Sequence, residues 1–79
     1  MIMTVKTQSG AIYLFTQKDG RIYFQRGSIT GEVIRVTNGS VTIGRSIEMD
    51  IRQDGLYGIP DDCTMPICTT PVVKMSVIL

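Results

Sequence analysis

Histidine and tryptophan are absent from this 79-residue chain, and leucine and alanine together number only four. Without histidine the commonest general base and the commonest metal ligand are both missing, so neither a metal nor any other cofactor is expected. With so little leucine and alanine, helix is disfavoured throughout. Charge is also scarce: charged residues are 19% of the chain and the net charge is +1, which excludes the strongly basic profile of a duplex-DNA coater. No apolar run is long enough to cross a membrane, and Met1-Ile2-Met3-Thr4-Val5 is halted by Lys6 and Gln8 too soon for a signal-peptide core. The expectation is a cytoplasmic protein with reduced thiols. Gly-rich phosphate loops, nucleophile elbows and metalloprotease helices are missing as well, so the chain is not expected to be an enzyme.

What is present is β-branched. Eleven Ile, seven Val and nine Thr favour extended backbone, and hydrophobic residues at 43% make the chain too apolar to stay disordered. A chain this short buries only about 60% of its unfolded surface, so residues 1–79 are read as one all-β domain around one small core. Short strands about every ten residues predict a curled antiparallel meander or small β-barrel of six to seven strands. Closure would remove the edges that such a chain otherwise exposes, and an open edge would pair with a second copy.

Three Gly residues follow Asn or Asp, in Asp19-Gly20, Asn38-Gly39 and Asp54-Gly55, and each pair suits a tight hairpin turn. Around Asn38-Gly39 a two-residue turn sets Val36 opposite Val41 and Ile34 opposite Ile43, with Arg35, Thr37, Ser40 and Thr42 on the other face. Around Asp19-Gly20 it sets Phe15 opposite Phe24 and Thr16 opposite Tyr23, with Tyr13, Phe15, Ile22 and Phe24 as a core face. Ser46 to Ile51 alternates Ile47, Met49 and Ile51 against Glu48 and Asp50, with Asp54-Gly55 turning it back toward Leu56-Tyr57. Met1 to Thr7 and Val72 to Leu79 are further strands, the last with Val73, Met75 and Val77 inward.

Gly58 to Pro71 reads as the one long irregular segment, holding all three prolines, Asp61, Asp62, Cys63 and Cys68. The cysteines suit buried small apolar thiols best; a short disulfide or half of a zinc site are the alternatives. Glu48 and Asp50 share a strand face, but an acidic outer face ordinarily protects a sheet edge.

The basic residues fall beside hydroxyls and tyrosines. Lys18, Arg21 and Tyr23 share one hairpin, Arg35 stands near Thr37 and Thr42, and Arg52 faces Tyr57 across the third turn. Guanidinium forks and hydroxyls bind phosphate and an aromatic face stacks a base, so Lys18, Arg21, Tyr23, Arg35, Thr37, Thr42, Arg52 and Tyr57 form the candidate ligand-binding set. The bland alternative is an ordinary wet sheet face.

Two end segments, Thr7-Gln8-Ser9-Gly10-Ala11-Ile12-Tyr13 and Thr69-Thr70-Pro71-Val72-Val73-Lys74, resemble small uncharacterised β-proteins of phages and actinobacteria. The resemblance implies a phage-like origin and a β fold and carries no activity with it. Together these readings lead to a non-enzymatic binding module acting through its surface as a homo-oligomer, either a phage-type inhibitor of a host protein or a sponge for a small nucleotide signal. Such a protein would bind neither duplex DNA nor a membrane. The alternative is a structural or assembly protein, such as a virion decoration or adaptor piece, suggested by apolar termini and mixed hairpin faces.

Overall fold

A computed structural model describes residues 1–53 and 64–78. Seven strands follow in chain order: β1 (Ile2–Thr7), β2 (Ile12–Lys18), β3 (Arg21–Arg26), β4 (Ile29–Val36), β5 (Glu48–Gln53), β6 (Met65–Cys68) and β7 (Val72–Ile78). They form one antiparallel sheet in the order β6-β5-β4-β3-β2-β1-β7, with no helix among the described residues.

The two edge strands of this sheet are consecutive in the chain. Laid flat, seven strands about 4.8 Å apart would hold β6 and β7 roughly 29 Å from each other. Residues 69–71 join Cys68 to Val72, and four Cα steps reach at most about 15 Å. The sheet therefore curls until its edges approach, giving a body with extents of 32 × 26 × 24 Å. It does not close into a barrel, which settles the meander-or-barrel expectation in favour of the meander.

The seam between the edges is filled by residues 37–47. Ile43 makes a parallel bridge to Val72, Gly44 N donates to Val72 O (2.8 Å) and Val72 N donates to Arg45 O (3.0 Å). Thr69 fastens the other side: its N donates to Ile47 O and its buried Oγ1 accepts from Ile47 N, both at 3.0 Å. The two end segments singled out in the sequence also meet here, since Gln8 N donates to Pro71 O and Ser9 N to Thr70 Oγ1.

Strand alternation sends one set of side chains inward on every strand. Val5, Tyr13, Phe15, Phe24, Val33, Ile47, Met49, Ile51 and Val72 are the buried core, with Met3, Val36, Met65, Ile67 and Met75 packed against it. The Tyr13 and Phe15 rings lie nearly parallel, 6.1 Å apart.

The Asp19-Gly20 hairpin has the expected register, Phe15 opposite Phe24 and Thr16 opposite Tyr23. Asp19 (φ 54°) and Gly20 (φ 75°) both take the left-handed backbone that a two-residue turn of this hand requires. Ile22, expected in the core, stands at its open end and is exposed. A second tight turn, Gly27-Ser28, joins β3 to β4; glycine followed by serine between two apolar runs is itself a hairpin signal that the Asn and Asp pairs overshadowed.

The Asn38-Gly39 hairpin does not form. β4 pairs with β5, Val33 opposite Ile51 and Val36 opposite Met49, and a bulge at Ile34 lets Val33 and Val36 both face inward although they are three residues apart. Ile34 and Ile43 are left exposed. Two causes act together. Ile47, Met49 and Ile51 are each about 1% exposed and so fill the core, while Ile43 stays 58% exposed. The Asn38 side chain also spends itself across the loop instead of in a turn: Nδ2 donates to Ser46 O (2.8 Å) and Oδ1 accepts from Glu48 N (3.3 Å).

Two further expectations change. Residues 65–68 form β6, so part of the segment read as irregular is an edge strand, and residues 37–47, where a hairpin was expected, are a long connection. On β7 a register shift between Lys6 and Thr7 places Val72 opposite Thr7 and Lys74 opposite Lys6, which throws Val73 out into solvent while Val72 takes the inward place. Met75 and Val77 keep the inward side, although Val77 is exposed at the open end. The Asp54-Gly55 turn, Asp61, Asp62 and Cys63 lie outside the described residues; Cys68 is an exposed free thiol rather than the buried one expected.

Replacing Asn38 by Ala should cost about 1–2 kcal/mol in urea unfolding, because two backbone groups lose their partner. Met49→Ala should cost more, about 3 kcal/mol, as a cavity opens in the best-buried strand; equal midpoints for wild type and Met49→Ala would contradict the assignment of β5 to the core.

Candidate binding surface

Among the described residues no element packs over the face opposite the core, and the register arranges it in rows. One row runs Ile78, Ile2, Thr16, Tyr23, Glu32, Arg52 across six strands, the next Ser76, Thr4, Leu14, Gln25, Thr30, and a third begins Lys74, Lys6, Ile12. Lys18 and Arg21 face each other beside the Asp19-Gly20 turn.

Of the eight expected ligand-binding residues seven are described, and they divide between the outer sheet face and the seam loop. Lys18, Arg21 and Tyr23 share the outer face of β2 and β3 as anticipated and are exposed. Arg35 faces Asp50, not the hydroxyl row: its Nε donates to Asp50 Oδ2 at 2.8 Å. Arg52 faces Glu32, with Nη1 4.0 Å from Oε1, and its Nε is buried with no hydrogen-bond partner among the described residues. Thr37 and Thr42 belong to the seam loop, where Thr37 N donates to Glu48 O (2.7 Å) and the Thr42 hydroxyl lies 3.4 Å from Ser40 Oγ. Tyr57 lies outside the described residues. Register thus sets two of the three expected arginines opposite carboxylates.

Positive charge without an ion pair among the described residues also lies outside the expected set. Lys6 and Lys74 are directly opposite on neighbouring strands, both exposed, and neither is in an ion pair among the described residues. They border a hollow of about 390 Å³ lined also by Thr4, Ile12 and Ser76. A smaller hollow of about 170 Å³ lies on the same face between Leu14, Thr16, Tyr23, Gln25 and Thr30, and the two adjoin because Thr4 pairs with Leu14. The lysine pair escaped the sequence reading because its members sit at opposite ends of the chain; each occupies an outward position of a terminal strand, and pairing those two strands is the signal that would have found it.

On the core side, a cleft of about 250 Å³ opens between Tyr13, Phe24, Arg26, Ile29, Ile51 and Ile67, where the Arg26 guanidinium lies 5.7 Å from the centre of the Tyr13 ring. At the opposite end an apolar hollow of about 90 Å³ is bordered by Met1, Met3, Ile22, Val36 and Val41. Among the described residues no three His, Cys, Asp or Glu side chains gather to hold a metal ion. No helix among them is long and apolar enough to cross a membrane. No family model, curated protein or solved structure matches the chain.

Like charges directly across a ladder destabilise it, so Lys74→Glu should raise stability by about 0.5 kcal/mol. Asp50→Asn should lower it by less than about 1 kcal/mol, as befits a pair whose arginine side chain is 73% exposed. Urea midpoints at low salt check both signs, and a lower midpoint for Lys74→Glu would contradict the like-charge pairing.

Proposed function

We propose that the protein is a non-enzymatic binding module that captures an extended segment of a partner protein as an additional strand beside β7. One observation carries this reading: β7 is a seven-residue edge strand that the seam loop covers only at Val72. Edge strands are normally blunted by charge, proline or brevity. The other edge obeys that rule, since β6 is four residues long and contains Pro66. β7 has no proline, carries Lys74 as its only charge and exposes Val73, Val77 and Ile78. Backbone groups along such an edge supply affinity for an added strand, and the flanking side chains supply selectivity. A second copy is the less favoured occupant, because its β7 would bring another lysine to an edge where Lys74 already faces Lys6. A phage-type inhibitor that sequesters a host protein would work in this way.

A structural or assembly role is the second reading. It is favoured by the outward Ile2–Ile78 pair and by the apolar hollow at Met1 and Met3, which neighbouring copies could cover.

Selection of peptides from a random display library on the purified protein, followed by amide hydrogen exchange, separates the two. Strand addition predicts that selected peptides slow exchange at residues 73–78 by about tenfold or more, and that Val77→Glu weakens them. Peptides that protect only other residues would overturn it. So would β7 amides already protected in a concentration-dependent oligomer of the free protein, the result the assembly reading expects.

A further inference from the structure

We propose that the hollow between Lys6 and Lys74 is an oxyanion site for the phosphate group of a small phosphate ester, such as a nucleoside monophosphate. This goes beyond strand addition, because it uses side chains on the outer face and leaves the β7 backbone edge free.

The lysine pair is the first ground. Two ammonium groups directly across a ladder repel each other, and among the described residues no carboxylate is paired with either. An anion placed between them converts that repulsion into two attractions. Hydroxyls are the second ground. Thr4 and Ser76 face each other in the next row and border the same hollow, and neither hydroxyl is in a hydrogen bond among the described residues. Two cationic donors beside two free hydroxyls offer a phosphate group charge and directed hydrogen bonds together.

Size and wall chemistry indicate an ester in place of the bare ion. At about 390 Å³ the hollow falls within the range of small-molecule sites. Its remaining side chain is Ile12, which is 55% exposed and pairs with Lys6 on the side away from β7. A ligand with its phosphate on the lysines can thus lay an apolar or planar body against Ile12 and bury surface that water now covers.

The protein contains its own control. Lys18 and Arg21 are also like charges facing each other on this face, but they flank Asp19 in the turn and border neither outer-face hollow. If positive charge alone attracted phosphate, both pairs would do so equally.

The test is a titration of the whole chain, followed by two-dimensional amide spectra, with adenosine monophosphate, inorganic phosphate and acetate at low salt. Saturable shifts are expected at residues 4–6, 12 and 74–76, with adenosine monophosphate tightest and acetate weakest. Binding should weaken steeply toward physiological salt, where the screening length falls to about 8 Å. The Lys6→Gln/Lys74→Gln variant should lose about tenfold or more in affinity, a change of roughly 1.4 kcal/mol or more. Lys6→Arg/Lys74→Arg should retain binding, and Lys18→Gln/Arg21→Gln should stay within about twofold of wild type. Equal losses in the two Gln variants, or shifts spread without saturation over every exposed lysine and arginine, would overturn the site. Inorganic phosphate binding as tightly as the nucleotide would overturn its assignment to an ester.

Discussion

A three-residue tether between the two edges of a sheet dictates the shape of this protein. Residues 69–71 cannot span a flat array of seven strands, so the sheet bends around one apolar interior. Bending leaves a gap whose backbone groups need partners, and the seam loop supplies them through Ile43, Gly44, Arg45 and Ile47. Thr69 is central to this arrangement: a buried threonine whose hydroxyl accepts from Ile47 N and donates to Thr70 O. A valine of similar shape could fill the space but would leave Ile47 N without that acceptor.

How far the fold could be read in advance depended on whether the deciding interaction was local. The Asp19-Gly20 hairpin came out in register because its turn residues and its alternation lie within a dozen residues of each other. Asn38-Gly39 offered signals of the same kind and yet forms no hairpin. There the decision belonged to Ile47, Met49 and Ile51, further along the chain, and to a bulge at Ile34 that alternation cannot register, since one extra residue inverts the apparent faces of all that follows. The bulge on β7 produced the same inversion at Val73.

Electrostatics followed the same division. Lys18, Arg21 and Tyr23 were placed on one face by the hairpin that holds them. Pairing of Arg35 with Asp50 and of Arg52 with Glu32 is a property of the β4–β5 register, which the expected hairpin had assigned to other residues. The outer face is therefore electrically uneven: near charge balance over β4 and β5, and positive at Lys6 and Lys74 and at Lys18 and Arg21.

Pairing of β1 with β7, Ile2 opposite Ile78, also sets a schedule for biosynthesis. As the chain leaves the ribosome, β1 can dock on β2 early, but its second neighbour, β7, follows it only after five other strands. Until then the interior lacks Val72, the seam loop has nothing to bridge, and a nascent meander carries a naked flank. Contacts this remote in sequence form slowly and leave partly built sheets prone to cross-pairing with their neighbours. The step that completes the sheet is the arrival of β7, and a polysome translating many copies side by side is where that delay would be most costly.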